Sequence, residues 1–597
     1  MMQRALYLVK FLVATILIFM VAKISFMLYH HAFSFLDATQ VIRHGLSLDF
    51  STSLYFFIVP FLLVIISCWL YIPKWIFRIY YGIVSILFPL AFVADTSLYE
   101  FWQFKLDASC LSYLETPTEA MASVSIGYIL LRLLCILIGG IVIYWIYDKL
   151  TPKFAPIKHR LIGTIVSLLM IPFIIIGIRG GVDESTTNIG QVYFSQNQFL
   201  NHSAVNPVFS FFASFEKTAS NHVTYSFMDE AESQRIVREL YSIESIESDT
   251  LLTTQTPNII VVLLEGCGGL FTEIGGRTDI TPNLNRLAQE GIYFTNCYGN
   301  SWRTDRGTVC TWSGYPSFPT MSVMKMPSKS RTLPNIAHSL QEERGYTTHY
   351  LYGGDINFTN MRSYLVSGGF KNLTWKDDYT KEEQNSAKWG VRDDITFETL
   401  YQLTATMSQP FLIGYSTLSS HAPWDVPIHH FDDEVYNAFY YLDQCVGDFI
   451  EKFRKSAVWD NTLIIMLPDH GIAYRGLTES DPLFSHIPMI WVGGAVKEPR
   501  RIEQICNQTD LPATLLGQLG LSHEAYSFSR DVLSKTYTNP FAIHTYDDGF
   551  TMIDSANFVN YDFISNRVVA GQGPDSEKLI KQAKAILQAA TKDLNDR

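Results

Sequence analysis

Glu265, His421, Asp469 and His470 are the residues of this chain whose placement most directly suggests chemistry, because each follows a short apolar run. Glu265 closes residues 258–264, His421 comes a few positions after 411–417, and Asp469 with His470 ends 463–467 in the run Leu467-Pro468-Asp469-His470-Gly471. If the runs are buried parallel strands, their carboxyl ends line a ligand crevice. Carboxylate oxygens and an imidazole nitrogen gathered there form a site for a hard-to-borderline divalent cation. Singly, each residue has an ordinary use as a cap or turn residue; it is their recurrence at strand ends that favours a metal.

A metal in such a crevice needs a group to act on. The segment Asn300-Ser301-Trp302-Arg303-Thr304-Asp305-Arg306-Gly307-Thr308 sets hydroxyls beside two arginines. A threonine hydroxyl is a poor nucleophile until a metal lowers its pKa, and Arg303 and Arg306 are suited to holding phosphate oxygens bidentately. A helix opening at Thr304 adds its dipole and free N–H groups. The spacing leaves Ser301, Thr304 and Thr308 all eligible, with a plain surface turn as the ordinary alternative.

The elements that position these residues follow an α/β pattern from Pro257 onward, in which short apolar runs alternate with helix-like segments. Strands are expected at 258–264, 348–352, 411–417, 463–467 and 489–492. Thr281-Pro282 opens a helix that Gly291 closes. Val435, Phe439, Leu442, Val446, Phe449 and Phe453 repeat at helical spacing and read as core.

The first third of the chain is different. Apolar segments at about 7–28, 54–72, 76–98, 126–147 and 160–180 are each long enough to cross a hydrocarbon layer of roughly 30 Å. The first lacks a small-residue cleavage site and is followed by further spans, so it reads as an anchor. Arg4 and Lys10, then Lys74 and Arg78, then Lys149, Lys153, Lys158 and Arg160 fall on one side. The opposite loops carry Arg43 and Lys105, the latter with Asp107, Glu115 and Glu119. Retention of basic loops in the cytoplasm puts the N-terminus inside and everything after about residue 181 outside. Lys23 is placed to snorkel, whereas Arg132 lies deeper and calls for a partner, structural pairing ahead of lipid head-group handling. The domains are therefore a five-span unit over 1–181, a juxtamembrane connector over 182–256, and an outer catalytic domain over 257–597. The connector's aromatic stretch at 207–212 suits either the membrane surface or the catalytic domain.

A net charge of −12 argues against nucleic acid as a partner. None of the eight cysteines has C-x-x-C or zinc-ligand spacing, so thiolate metal binding is not expected, while their number leaves room for one or two disulfides of unread connectivity.

Taken in order, five spans, a connector, Val262-Leu263-Leu264-Glu265, Arg303-Thr304-Asp305, Ser419-Ser420-His421 and Pro468-Asp469-His470-Gly471 resemble the lipoteichoic acid synthase family of phosphoglycerol transferases. The resemblance implies an alkaline-phosphatase/sulfatase-like α/β domain with a mainly parallel central sheet after the transmembrane helices. It implies Thr304 as nucleophile, and Glu265, Thr304, Asp469 and His470 as ligands of one divalent ion, manganese ahead of magnesium or zinc. His421 would contact substrate or leaving group, with Arg303, Arg306 and His486 also on the substrate side. The implied partners are a membrane phospholipid donor and an envelope glycan or lipid acceptor, at a bacterial cytoplasmic membrane. The related lipid A phosphoethanolamine transferases place a His-x-Pro motif late in the domain, and His486-Ile487-Pro488 is similar. The Trp-Asn-Arg run usual in the phosphoglycerol family is replaced by Asn357-Phe358-Thr359-Asn360-Met361-Arg362, so its arginine is absent or displaced. A sulfatase would need a Cys or Ser followed by x-Pro-x-Arg, and Cys310-Thr311-Trp312-Ser313-Gly314 has neither proline nor arginine. A non-catalytic membrane sensor keeping the fold is the reading from a different class.

Overall fold

A computed structural model describes the chain except for residues 31–32, 103–104, 107, 109, 111–125, 196, 222–223, 243–247 and 548. Asp107, Glu115 and Glu119, used above for the loop charge, lie outside the described residues. The chain divides into two units, Met1–His222 and Val223–Arg597.

The first unit holds helices α1 (Met2–His30), α2 (Phe35–Ile66), α3 (Lys74–Trp102), α4 (Ile126–Leu150), α5 (Arg160–Leu168) and α6 (Ile171–Arg179). They make five stretches long and apolar enough to cross a membrane, the last from α5 and α6 together. The second helix begins well before the expected residue 54. Ser34 and Asp37 form a reciprocal capping box there, with Ser34 Oγ accepting from Asp37 N at 3.1 Å and Asp37 Oδ2 accepting from Ser34 N at 2.9 Å.

The polar residues this extension brings in correct the reading of Lys23. Its ammonium does not snorkel; it is buried against Asp49 at 2.8 Å and donates to the Gly45 carbonyl at 2.9 Å. Asp49 also accepts from Asn206 Nδ2 at 2.9 Å. A buried ammonium is tolerable only when paired and hydrogen-bonded, and the bundle supplies both. Lys105 and Asp95 form a second buried pair. The helix Pro207–Asn221 belongs to this unit, where Val208 joins the apolar core.

In the second unit, α7 (Glu230–Tyr241) packs on α12 (Ser576–Asp596), with Ser233 Oγ donating to the Ala585 carbonyl at 3.0 Å. The stretch expected as one connector is thus shared between the two units.

The central sheet runs β4 (Asn372–Trp375), β3 (Thr347–Tyr352), β5 (Phe411–Ser416), β1 (Asn258–Leu264), β6 (Thr462–Pro468), β7 (His486–Val492), β2 (Ile292–Tyr298), β8 (Arg500–Ile502), with β9 (Cys506–Asn507) also on β2. It is mainly parallel, as expected; β7 alone runs against its neighbours β6 and β2. Every residue of β1 is buried, and its side chains alternate between two cores. Ile259, Val261 and Leu263 enter one core, and Ile260, Val262 and Leu264 enter the other. The first core holds Val309 and Trp312 of α9 (Thr304–Ser313); the second holds Val435, Phe439, Leu442, Val446, Phe449 and Phe453 of α11 (Glu434–Phe453), all core as their spacing indicated. α8 (Pro282–Glu290) and α10 (Asp393–Thr406) lie on the second face. Thr281 precedes α8, but its hydroxyl donates to the Phe271 carbonyl at 2.8 Å instead of capping the helix.

A four-stranded antiparallel sheet, β10 (Phe541–Tyr546), β11 (Gly549–Asp554), β12 (Phe558–Asp562) and β13 (Arg567–Gln572), completes the unit. A fully buried ion pair ties it in. Arg530 donates to Asp510 through Nε at 3.0 Å and Nη2 at 2.6 Å, to the Asn539 and Phe541 carbonyls, and lies 3.7 Å from the Phe541 ring centroid. Cys297 and Cys506 are register partners on β2 and β9, and both are unlinked thiols.

Candidate active site

Parallel neighbours β1 and β6 end side by side, with Leu264 opposite Pro468, so Glu265 and Asp469 emerge from the same edge of the sheet. Backbone hydrogen bonds then fix each side chain. Glu265 N–H donates to Thr417 Oγ1 at 3.0 Å, and Ser420 Oγ donates to the Glu265 carbonyl at 2.6 Å, lacing the loop after β5 to the end of β1. Gly266 turns the chain with a left-handed backbone (φ +63°), and its N–H donates to Asp469 Oδ1 at 3.0 Å. His470 N–H donates to the same oxygen at 3.0 Å, which leaves Oδ2 for the site.

His470 Nδ1–H donates to the Gly471 carbonyl at 2.7 Å, which fixes the ring and directs Nε2 inward. Nε2 lies 3.4 Å from Glu265 Oε1 and 3.5 Å from Asp469 Oδ2. Thr304 Oγ1 lies 3.2 Å from Glu265 Oε2 and 3.3 Å from His470 Nε2, at the first residue of α9. One ligand atom from each of Glu265, Asp469 and His470 falls within 4.8 Å of the others.

Two buried carboxylates this close cannot both ionise without a cation. Burial and then the neighbouring Glu265 push Asp469 up to about 7. Burial would raise Glu265 too, but its hydrogen bond to His470 and the charge there outweigh it and hold it at about 2. Burial opposes a charge on His470, and the two carboxylates overcome that, raising it to about 10. The cluster is thus a buried anionic seat that takes up positive charge. Its oxygen and imidazole donors suit a divalent cation of the manganese, magnesium or zinc type.

α9 reaches this seat because Gly307 has no side chain. A Cβ there would sit 2.1 Å from the Asp469 carbonyl oxygen. Gln508 clamps the same region, its Nε2 donating to the carbonyls of Pro468 at 3.1 Å and Asp469 at 3.0 Å. Asn300 holds the start of the segment, its Nδ2 donating to the Ile543 carbonyl at 2.9 Å while its Oδ1 accepts from Ser317 N at 2.7 Å. Asp393 fixes the loop after β5 by accepting from Leu418 N at 2.9 Å and Ser419 N at 3.0 Å. Gln508, Asp393 and Asn300 were not anticipated from the sequence. Thr417 and Ser420 had a visible signal, since the hydroxyl-rich run Ser416-Thr417-Leu418-Ser419-Ser420 directly follows a strand.

The other candidates divide. His421 is partly exposed and stands over Trp389 with ring centroids 4.5 Å apart. Its charge acts on Glu265. The Ala422 carbonyl accepts from both Trp389 Nε1 at 2.6 Å and His421 Nδ1 at 2.8 Å, a contact that leaves His421 Nε2 uninvolved. Arg303 is exposed and stacks over Trp302 at 4.7 Å. Arg306 is held internally, with Nε donating to the Phe318 carbonyl at 3.3 Å and Nη1 3.6 Å from Asp305. His486 hydrogen-bonds through Nε2 to the Thr295 carbonyl at 2.8 Å and stacks on Tyr298, so both ring contacts lie on β2 and not at the cluster. Arg362 donates to Asn357 Oδ1 at 2.9 Å and lies over Trp375. Cys310 is fully buried inside α9, and burial pushes its thiol up.

Residues 257–521 match the sulfatase family. Lipoteichoic acid synthase 2 of Bacillus subtilis (strain 168) is 26% identical over 313 residues, 47% of this chain and 48% of its own length. A lipoteichoic acid synthase of Staphylococcus aureus is 24% identical over 375 residues, 57% of each. The chain spans about half the length of the curated relatives it matches. Among solved structures, a protein in the alkaline phosphatase superfamily from Vibrio parahaemolyticus is 28% identical with a TM-score of 0.54, covering 62% of this chain and 98% of that one. The lipoteichoic acid synthase LtaP from Listeria monocytogenes shares the fold at 18% identity and a TM-score of 0.51, covering 63% of this chain and 99% of its own. Residues 257–521 thus carry the sulfatase-family match, and the unit that contains them is similar to a protein of the alkaline phosphatase superfamily.

Proposed function

We propose that this protein is a membrane-anchored phosphotransferase that moves phosphoglycerol from a phospholipid such as phosphatidylglycerol to an envelope acceptor through a phosphothreonine at residue 304. The observation that carries the reading is the Thr304 hydroxyl at the head of α9, 3.2 Å from Glu265 and 3.3 Å from His470. Glu265, Asp469, His470 and the Thr304 oxygen would hold a divalent cation, which when bound supplies Lewis acidity toward that oxygen and the phosphoryl group.

The remaining work falls to the chain's own side chains. Thr304 Oγ1 releases its proton to solvent and forms a bond to phosphorus, while the bond to the diacylglycerol oxygen breaks. His421, protonated at Nε2, gives that oxygen its proton. The N–H groups at the start of α9 favour the phosphate's negative charge. An acceptor hydroxyl then attacks the phosphothreonine and loses its proton to His421, while the departing Thr304 oxygen takes a proton back from solvent. The committed ring of His486 favours His421 for this proton transfer.

Relatives that bear the name lipoteichoic acid synthase support phosphoglycerol over phosphoethanolamine. The test is to incubate the purified full chain with manganese and either phosphatidylglycerol or phosphatidylethanolamine, then weigh the peptide containing Thr304. A glycerophosphoryl adduct is expected; a phosphoethanolamine adduct reverses the donor, and no adduct from either lipid sinks the covalent route. The catalytic unit is proposed to face outward, on the distribution of basic loops. A cysteine introduced at Asp183 should label in intact spheroplasts and one at Lys153 should not, and the opposite pattern inverts the topology.

A further inference from the structure

The membrane-spanning unit contains a cavity of about 650 Å³ between α1, α3 and α4, the size of a small-molecule site. On α1 its lining runs from Ala14 through Leu17, Ile18, Val21, Ala22 and Ser25 to Tyr29, a single stripe at helical spacing. At 1.5 Å per residue that stripe is about 22 Å long, close to the depth of one leaflet with its head groups.

The two ends differ in chemistry. Ala14, Leu17, Val142, Ile143 and Ile146 make one end wholly apolar, whereas Ser25, Tyr29, Thr96 and Arg132 gather at the other. Arg132 sits near the start of α4, within about 9 Å of that helix end. This is the depth of a lipid head group, not of the bilayer centre.

The pairing foreseen for Arg132 is only half present. Its guanidinium donates to the hydroxyls of Tyr29 and of Tyr128, the latter at 3.0 Å, and lies over both rings. Both partners are neutral. Among the described residues, no carboxylate pairs with Arg132 and its Nε has no hydrogen-bond partner. Lys23 and Lys105 in the same unit each have a carboxylate. A guanidinium at head-group depth meets lipid phosphates, and a phosphodiester matches its fork.

We propose that this trough binds an anionic phospholipid, its phosphate on Arg132 and an acyl chain along the apolar stripe. Tyr29 and Tyr128 hold the guanidinium in place and leave Nε to the phosphate. The proposal concerns binding alone, so its failure leaves the reading of Thr304 untouched.

The full chain, purified in detergent and delipidated, is mixed with vesicles of phosphatidylglycerol or with diacylglycerol of the same acyl chains, and retained lipid is counted after washing. Wild type is expected to keep phosphatidylglycerol at about one per chain. Arg132→Gln should weaken retention about tenfold, the loss of one charged hydrogen-bonded contact. Val142→Trp, which fills the opposite end and leaves Arg132 intact, should also reduce it. Diacylglycerol, lacking the phosphate, should not compete. Equal retention by Arg132→Gln, or competition by diacylglycerol as strong as by the phospholipid, overturns the proposal.

Discussion

The catalytic unit buries charge in two places and treats them in opposite ways. Around Arg530, the carboxylate of Asp510 and the carbonyls of Asn539 and Phe541 satisfy the guanidinium, and the cluster is neutral. Around His470, Glu265 and Asp469 bring two carboxyl groups to one imidazole, and no arginine or lysine pairs with them among the described residues. The first pattern anchors β10 to the sheet; the second leaves a seat for a cation. A buried charge that is fully answered is architecture, and one left half answered is where chemistry is possible.

That contrast can be broken by experiment. Thr304→Ala is expected to reduce lipid turnover by at least about a thousandfold while leaving the thermal midpoint within a degree or two of wild type, because the hydroxyl is at the surface of the seat. Activity retained in this variant would remove the nucleophile.

Asp469→Asn tests the seat itself. In wild type, metal at about a hundred times its dissociation constant adds about 2.7 kcal/mol to stability, and chelation removes it. The variant should show no rise in midpoint with added manganese. An unchanged rise would mean that the metal binds elsewhere.

Arg530→Met is the converse case. It strands the Asp510 carboxylate and should cost about 3–5 kcal/mol, read as a lower thermal midpoint. The shift produced by manganese should be preserved. If Arg530→Met abolished that shift and Asp469→Asn did not, the assignment of the two clusters would be exchanged.

The smallest expected effect belongs to His486→Ala. Removing its hydrogen bond to the Thr295 carbonyl should cost about 1 kcal/mol and leave turnover within about threefold of wild type. A loss of a hundredfold would place His486 in the proton transfer and favour the phosphoethanolamine-type reading of His486-Ile487-Pro488.

Much of the cluster was legible because strand ends are written locally. β1, β5 and β6 are continuous apolar runs, and the polar residue that ends each run is forced to one edge of a parallel sheet. Contacts across long separations were not legible. Gln508 reaches the Asp469 carbonyl and Asn300 reaches Ile543 through pairings that no local pattern encodes. β10–β13 lay beyond the motifs, and in β13 every residue is exposed, so burial gives it no period to read. Lys23 was misread because Asp49 and Asn206, which answer its charge, come from other elements. Arg306 shows a use that local sequence does not reveal, because a guanidinium suited to phosphate is equally suited to a backbone carbonyl and Phe318 is within reach.

Gly307 gives the helix that begins at Thr304 its address. Since α9 rests on the Asp469 carbonyl where a side chain would be, the distance from residue 304 to the seat is set by a vacant volume and not by an attraction. In evolutionary terms this separates two kinds of change. A small side chain exchanged for another at residue 304 keeps the same reach toward Glu265 and His470. Any side chain at residue 307 has to lift the whole helix. On the proposed reading, a change at residue 304 would alter what attacks, and a side chain at residue 307 would alter where the attack takes place.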